Sequence, residues 1–179
     1  MACKTYTLTG GDFMCDVSMG GLKAIYVANY DDVSAVTYDS AVASAQTQIT
    51  AITMAGAAKF VKYTFKRNTA SFTSNLQVSP ENGTNFWQTD ITMQFSRMET
   101  AKRLEIKALS LNDLVVIAED LNGHMWYFGI TMPVQAASGD ATSGTNMTDR
   151  NGYSIGLQAN ELDAPIEFVG TVPLTASNG

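Results

Sequence analysis

Charge is scarce in this chain. Only 16% of its 179 residues are Asp, Glu, Lys or Arg, against about 25% in an ordinary soluble domain. That argues against a solvated, highly charged particle and fits a protein that hides much of its surface against copies of itself. Positive charge is the scarcer sign: 11 Lys and Arg against 17 Asp and Glu, a net charge of −6 and a pI near 4.6. Gripping nucleic acid needs clustered Lys and Arg opposite phosphates, so direct DNA binding is disfavoured. Cysteine is limited to Cys3 and Cys15 and histidine to His124, too few and too far apart for a zinc site. The two thiols read as free or buried, and the spacing leaves open a disulfide across their short loop. No positively charged start leads into an apolar run, so no signal peptide is visible. No stretch nears the roughly 20 apolar residues of a membrane span. The chain is therefore expected to be made and kept soluble in the cytoplasm, with no membrane partner.

Catalytic signatures are missing as well. There is no Gly-x-Ser-x-Gly elbow, no phosphate-cradling Gly-x4-Gly-Lys and no His-Glu-x-x-His. His124, beside Trp126 and Tyr127, reads as a surface or packing histidine. The acidic positions Asp31-Asp32, Glu119-Asp120 and Glu161/Asp163 fall at expected strand ends, where carboxylates form turns and caps. The stretch from Asp140 to Asp149 is rich in oxygen-bearing side chains but lacks the ligand spacing of a calcium loop. Asn82-Gly-Thr and Asn146-Met-Thr read as turn chemistry, not glycan acceptors. No catalytic residue, cofactor or metal is assigned, and the chain is expected not to be an enzyme.

What the sequence does contain is alternation. Trp87, Thr89, Ile91, Met93 and Phe95 alternate with polar residues, and Phe72, Ser74, Leu76 and Val78 do the same. Period two marks a strand with one wet face. Pro80-Glu-Asn-Gly83 between the two runs supplies the Asn-Gly of a hairpin turn. Shorter strands are expected at Leu22–Ala28, ending in a turn, and at Val61–Phe65. Leu114–Ala118 and Met125–Phe128 flank Glu119-Asp-Leu-Asn-Gly123 as a second hairpin. Its nearly all-apolar arms suit burial on both faces, under a helix on one side and a second sheet or neighbouring subunit on the other. Tyr153, Ile155, Leu157 and Ala159 alternate next, and Ile166 and Phe168 give a last short strand. One helix is expected at about residues 97–111. Ser96-Arg-Met-Glu99 has the form of a capping box, and Met98, Ala101, Leu104, Ala108 and Leu111 return at helical spacing. Glu105 falls inside that stripe and Ile106 outside it, and Leu104–Ala108 also alternates as a strand would. The helix is preferred because cap and stripe agree.

The fold class expected is mainly β, a β-sandwich or barrel with one flanking α-helix. Residues 1–21, rich in Gly, Thr and Ser, form an N-terminal arm. Residues 22–170 form a single β-rich domain with a long polar loop at 136–152, and 171–179 form a C-terminal tail. A loop that long in a compact domain is functional or orders only when something packs on it.

From Ser96 to Tyr153 the chain resembles a family of structural proteins of Bacteroidetes bacteriophages, of tail or tail-tube-like type. Three features carry the resemblance: a helix leading into Leu114-Val-Val-Ile and closed by Glu119-Asp-Leu-Asn-Gly123; the aromatic return arm Trp126-Tyr-Phe-Gly129; and Ser138-Gly-Asp-Ala-Thr-Ser-Gly144 followed by Asp149-Arg-Asn-Gly-Tyr153 and an alternating strand. Such proteins often carry a second glycine shortly after the one matching Gly129, where this chain has Ile130-Thr-Met-Pro133. The resemblance implies a virion protein that assembles side by side into a ring, hexameric in such families. It also implies other tail or connector proteins as partners, and DNA passing through a channel without specific binding. An acidic lumen would repel phosphate and let DNA slide. Ser138, Gly139, Asp140, Thr142, Gly144, Asp149 and Gly152 are singled out as assembly residues, and deleting 138–148 is expected to leave a folded monomer unable to form rings. The alternative is a non-enzymatic β-barrel or sandwich binding module, receptor-binding, capsid-decorating or small-ligand-binding, with Trp126, Tyr127 and Phe128 lining a pocket.

Overall fold

The computed structural model describes residues 18–39 and 48–175. Residues 1–17 of the expected arm, with Cys3 and Cys15, lie outside the described residues, as do 176–179 of the tail. The architecture is a β-sandwich of two sheets with a single helix among the described residues.

The first sheet has the order β2-β3-β11-β8-β7-β1-β4. Its strands are β1 (Leu22–Asn29), β2 (Val33–Tyr38), β3 (Gln48–Met54), β4 (Val61–Thr64), β7 (Leu114–Asp120), β8 (Met125–Phe128) and β11 (Ile166–Phe168). The second is wholly antiparallel, in the order β5-β6-β10-β9: β5 (Ala70–Ser79), β6 (Thr84–Ser96), β10 (Gly152–Glu161) and β9 (Gln135–Thr142). The helix, α1 (Thr100–Leu111), joins β6 to β7.

The larger sheet is strongly curled. β1 and β2 stand five places apart in it, about 24 Å if the sheet were flat. Yet only the 3-10 turn Tyr30–Asp32 joins them, a reach of roughly 14 Å. One face of the curl wraps a core of Tyr26, Ile49, Phe60, Val115, Ile117, Tyr127 and Phe168. The other packs on the smaller sheet through Ile25, Val27, Val116 and Phe128 against Ile91, Met93, Ile155 and Leu157. This explains why β7 is apolar without alternation: residues 114–119 are all buried, odd and even positions facing different cores. The covering layers are the second sheet and the chain's own curl, while α1 lies to one side, at the β9 edge.

Several expectations need correction. The capping box does not form: Glu99 itself is the residue before the helix and makes no side-chain cap bond, while its carboxylate meets Arg97 at 2.9 Å and Lys102 at 3.4 Å. Arg97, at φ 66, ends the strand instead, and the helix starts at Thr100 rather than about 97. The expected loop 136–152 is a strand for its first half, β9, which pairs with β10 from Thr142↔Gly152 back to Gln135↔Gln158; only 143–151 is loop. The tail at 171–179 is held in its first part. Val172 is buried, Leu174 bridges Phe60, and the Thr175 N–H donates to Phe60 O at 3.0 Å. β2 and β3 occupy a stretch where no element was expected.

Candidate assembly surface

The four strands of the smaller sheet contain no Lys or Arg. Pairing registers put Ser71, Thr73, Asn75 and Gln77 of β5 on the face turned from the core. Gln88, Asp90, Thr92 and Gln94 of β6, and Ser154, Gly156, Gln158 and Asn160 of β10, share that face. β9 adds Ser138, Asp140 and Thr142. Its charges are Asp90, which accepts from Gln158 Nε2 at 2.9 Å, and Asp140, bonded by Ser154 Oγ and by Arg150 from the neighbouring loop. The Ser154 bond, with the Arg150 cation, holds the Asp140 carboxyl below its usual range. The result is a broad wall of neutral polar side chains, slightly acidic, bounded by β5 and β9, whose outer edges pair with no further strand among the described residues. Unpaired edges of this kind are templates for pairing with another chain.

The residues singled out from the sequence fall on this sheet and the turn beside it, with different roles. Ser138, Asp140 and Thr142 lie on the wall at the free edge; Gly139 has the opposite parity, its place for a Cβ 3.4 Å from Ser154 O. Asp149 and Gly144 build the turn: the Asp149 carboxylate accepts the Thr145 and Asn146 N–H groups at 2.9 and 2.7 Å, which lowers its pKa. Gly152 starts β10 where a Cβ would stand 2.0 Å from Phe95 O, so no other residue fits without moving β6. Three of the seven, Gly144, Asp149 and Gly152, are thus structural rather than surface.

The buried and paired ionisable groups serve the fold. Glu161, at the end of β10, accepts N–H bonds from Gly129 and Ile130 at 2.8 Å and from Thr131 at 2.9 Å. One carboxylate thereby holds the turn after the aromatic arm, at the point where the chain has no second glycine. Burial works against the charge on Glu119, but Lys23 at 2.5 Å and Tyr26 Oη at 2.6 Å outweigh it and keep its pKa low. His124 is a surface residue on the β7–β8 turn, its Nδ1 2.6 Å from Glu167 Oε1. Tyr127 and Phe128 are packed into the two cores, Tyr127 also bordering a small cavity of about 140 Å³ with Ile130, Glu161 and Ile166, and Trp126 is partly buried. Among the described residues no group of His, Cys, Asp and Glu is placed to hold a metal ion, and no helix is long and apolar enough to cross a membrane.

Two apolar features were not anticipated. The apolar stripe read at helical spacing stands in solvent: Met98 is 41%, Leu104 54% and Leu111 72% exposed. The helix instead turns Leu109 and Ile106 inward, and Tyr63 Oη donates to Glu105 Oε2 at 2.8 Å across a groove of about 160 Å³ between α1 and β4. The misfit of Glu105 and Ile106 with the stripe was the signal in the sequence. The second feature is the far end of the β5–β6 hairpin, where Leu76 and Val78 have core-side parity yet stand 47% and 56% exposed. Comparison with protein-family models, with curated proteins and with solved structures finds no match to this chain.

Proposed function

We propose that this chain is a self-assembling structural subunit, a phage tail-tube or tail/connector ring protein, whose copies join edge to edge so that the smaller sheet lines a channel for DNA. The carrying observation is the four-stranded sheet whose strands hold no Lys or Arg, polar on its outer face and, among the described residues, unpaired at both edges. A channel wall for a polyanion must be wet, so that DNA stays hydrated, and free of Lys and Arg, so that it does not stick. An edge of β9 offered to β5 of the next copy would satisfy both exposed ladders and remove the aggregation hazard of a free edge. Six copies, the number the resemblance implies, would line the channel with strands about 4.8 Å apart. The circumference would be roughly 115 Å and the diameter roughly 35–50 Å depending on strand tilt, wider than a DNA duplex. The segregation of charge supports the same reading. Lys59, Lys62, Lys66, Arg67, Arg97, Lys102, Arg103 and Lys107 sit on or beside β4 and α1, and Arg150, at the β9 edge of the wall, is neutralised by its pairing with Asp140. On this reading the protein is made in the bacterial cytoplasm, resides in the virion and works without catalysis.

The test is negative-stain electron microscopy of the purified protein beside its mass by light scattering. Rings or tubes with an open centre, at a mass several times that of the 19.2 kDa chain, are expected. A monomer at every concentration would overturn the proposal.

A further inference from the structure

Resting on that ring reading, we infer that the exposed stripe of α1 on one copy, centred on Leu104 and Leu111, is the seat for Leu76 and Val78 on the β5–β6 hairpin of the next. Both patches are large aliphatic side chains left in water, a cost of about 25 cal/mol for each Å² of apolar area that a partner would remove. Both lie behind the same sheet. Leu76 and Val78 point to its core side at the β5 edge, and α1 contacts β9 and β10 at the opposite edge. Joining β9 of one copy to β5 of the next carries the hairpin's core-side residues toward the neighbour's helix. A head-to-tail contact of this kind joins two different, complementary surfaces, as a ring requires. Charge agrees with the pairing. The helix carries Lys102, Arg103 and Lys107 against Glu105, whereas β5 and β6 carry no cation and the hairpin turn bears Glu81. The contact is a second copy of this chain on an otherwise unused face, and it would explain why a helix stripe of core-like composition is turned away from its own core.

A charge-swap series tests this. Leu104→Glu and Val78→Lys are each expected to raise the concentration needed for rings about tenfold or more, while the double variant, with Glu opposite Lys at every junction, recovers assembly. Both positions are exposed, so circular dichroism and melting temperature of the unassembled variants should match the parent. Rings that form normally in either single variant would overturn the inference and leave the ring reading standing. So would loss in both singles without recovery in the double. A parent chain that never assembles would overturn both.

Discussion

His124 was read from the sequence as a surface or packing residue without an orienting acid, and the fold supplies that acid from 43 residues away. The hydrogen bond to Glu167 and the charge behind it raise the His124 pKa above its ordinary 6.5, and the same bond lowers that of Glu167 below 4.5. The signs set the pH window. The histidine's contribution is fully present below its unfolded pKa and is lost as pH rises through the folded one. The glutamate's is present above its unfolded pKa and is lost as pH falls through its folded one. His124→Ala should therefore lower the melting temperature slightly at about pH 6 and not at about pH 9. An NMR titration should place the imidazole above 6.5. An equal deficit at both pH values would mean that packing, not charge, is what the ring contributes. Glu161 and Glu119 make the same point from the buried side. Both stood out in the sequence only as acids at strand ends, because the three N–H groups and the Lys–Tyr pair that they serve are about 30 and 95 residues distant.

Among the elements, α1 departs most from its sequence pattern. The helical period was legible, but the apolar residues that carry it, Leu104 and Leu111, are not the ones the helix buries. The helix is tied down at its start, where Lys102 Nζ donates to Ser96 O at 2.5 Å and Asn151 accepts from the Arg97 and Met98 N–H groups. From there Ile106 and Leu109 pack inward on the core. Leu109→Ala should cost about 3 kcal/mol of monomer stability, as cavity-forming core changes do, whereas Leu104→Ala should stay within about 0.5 kcal/mol. Chemical denaturation of the two variants would decide, and the reverse order would mean the helix is wrongly oriented. β9 misled differently: Ser138-Gly-Asp is loop-like in composition, and it is extended because β10 offers it a ladder and Ser154 and Arg150 hold Asp140 in place. Neighbouring structure routinely overrides strand propensity in this way.

For the whole molecule, the strand at the edge of the small sheet changes what a deletion should do. Removing 138–148 takes away most of β9 along with its turn, and it bares β10, the strand that carries Ile155 and Leu157 into the core between the sheets. Rather than an intact monomer unable to assemble, the expected product is one whose melting temperature falls by at least about 5 °C. Faster amide exchange along β10 should accompany the fall. An unchanged melting temperature would return residues 138–142 to the status of a dispensable loop. The sequence by itself determined the β class and the strands β1, β4 to β8, β10 and β11, together with both hairpins. Alternation, apolar runs and Asn-Gly turns are local properties, read within ten or so residues. Only the tertiary structure decided which sheet each strand joins, how tightly the larger sheet curls, that β9 is a strand, and which side of α1 is wet. Those depend on partners tens of residues apart, whose pairing is chosen by the packing of the whole chain and leaves no periodic mark on any one segment.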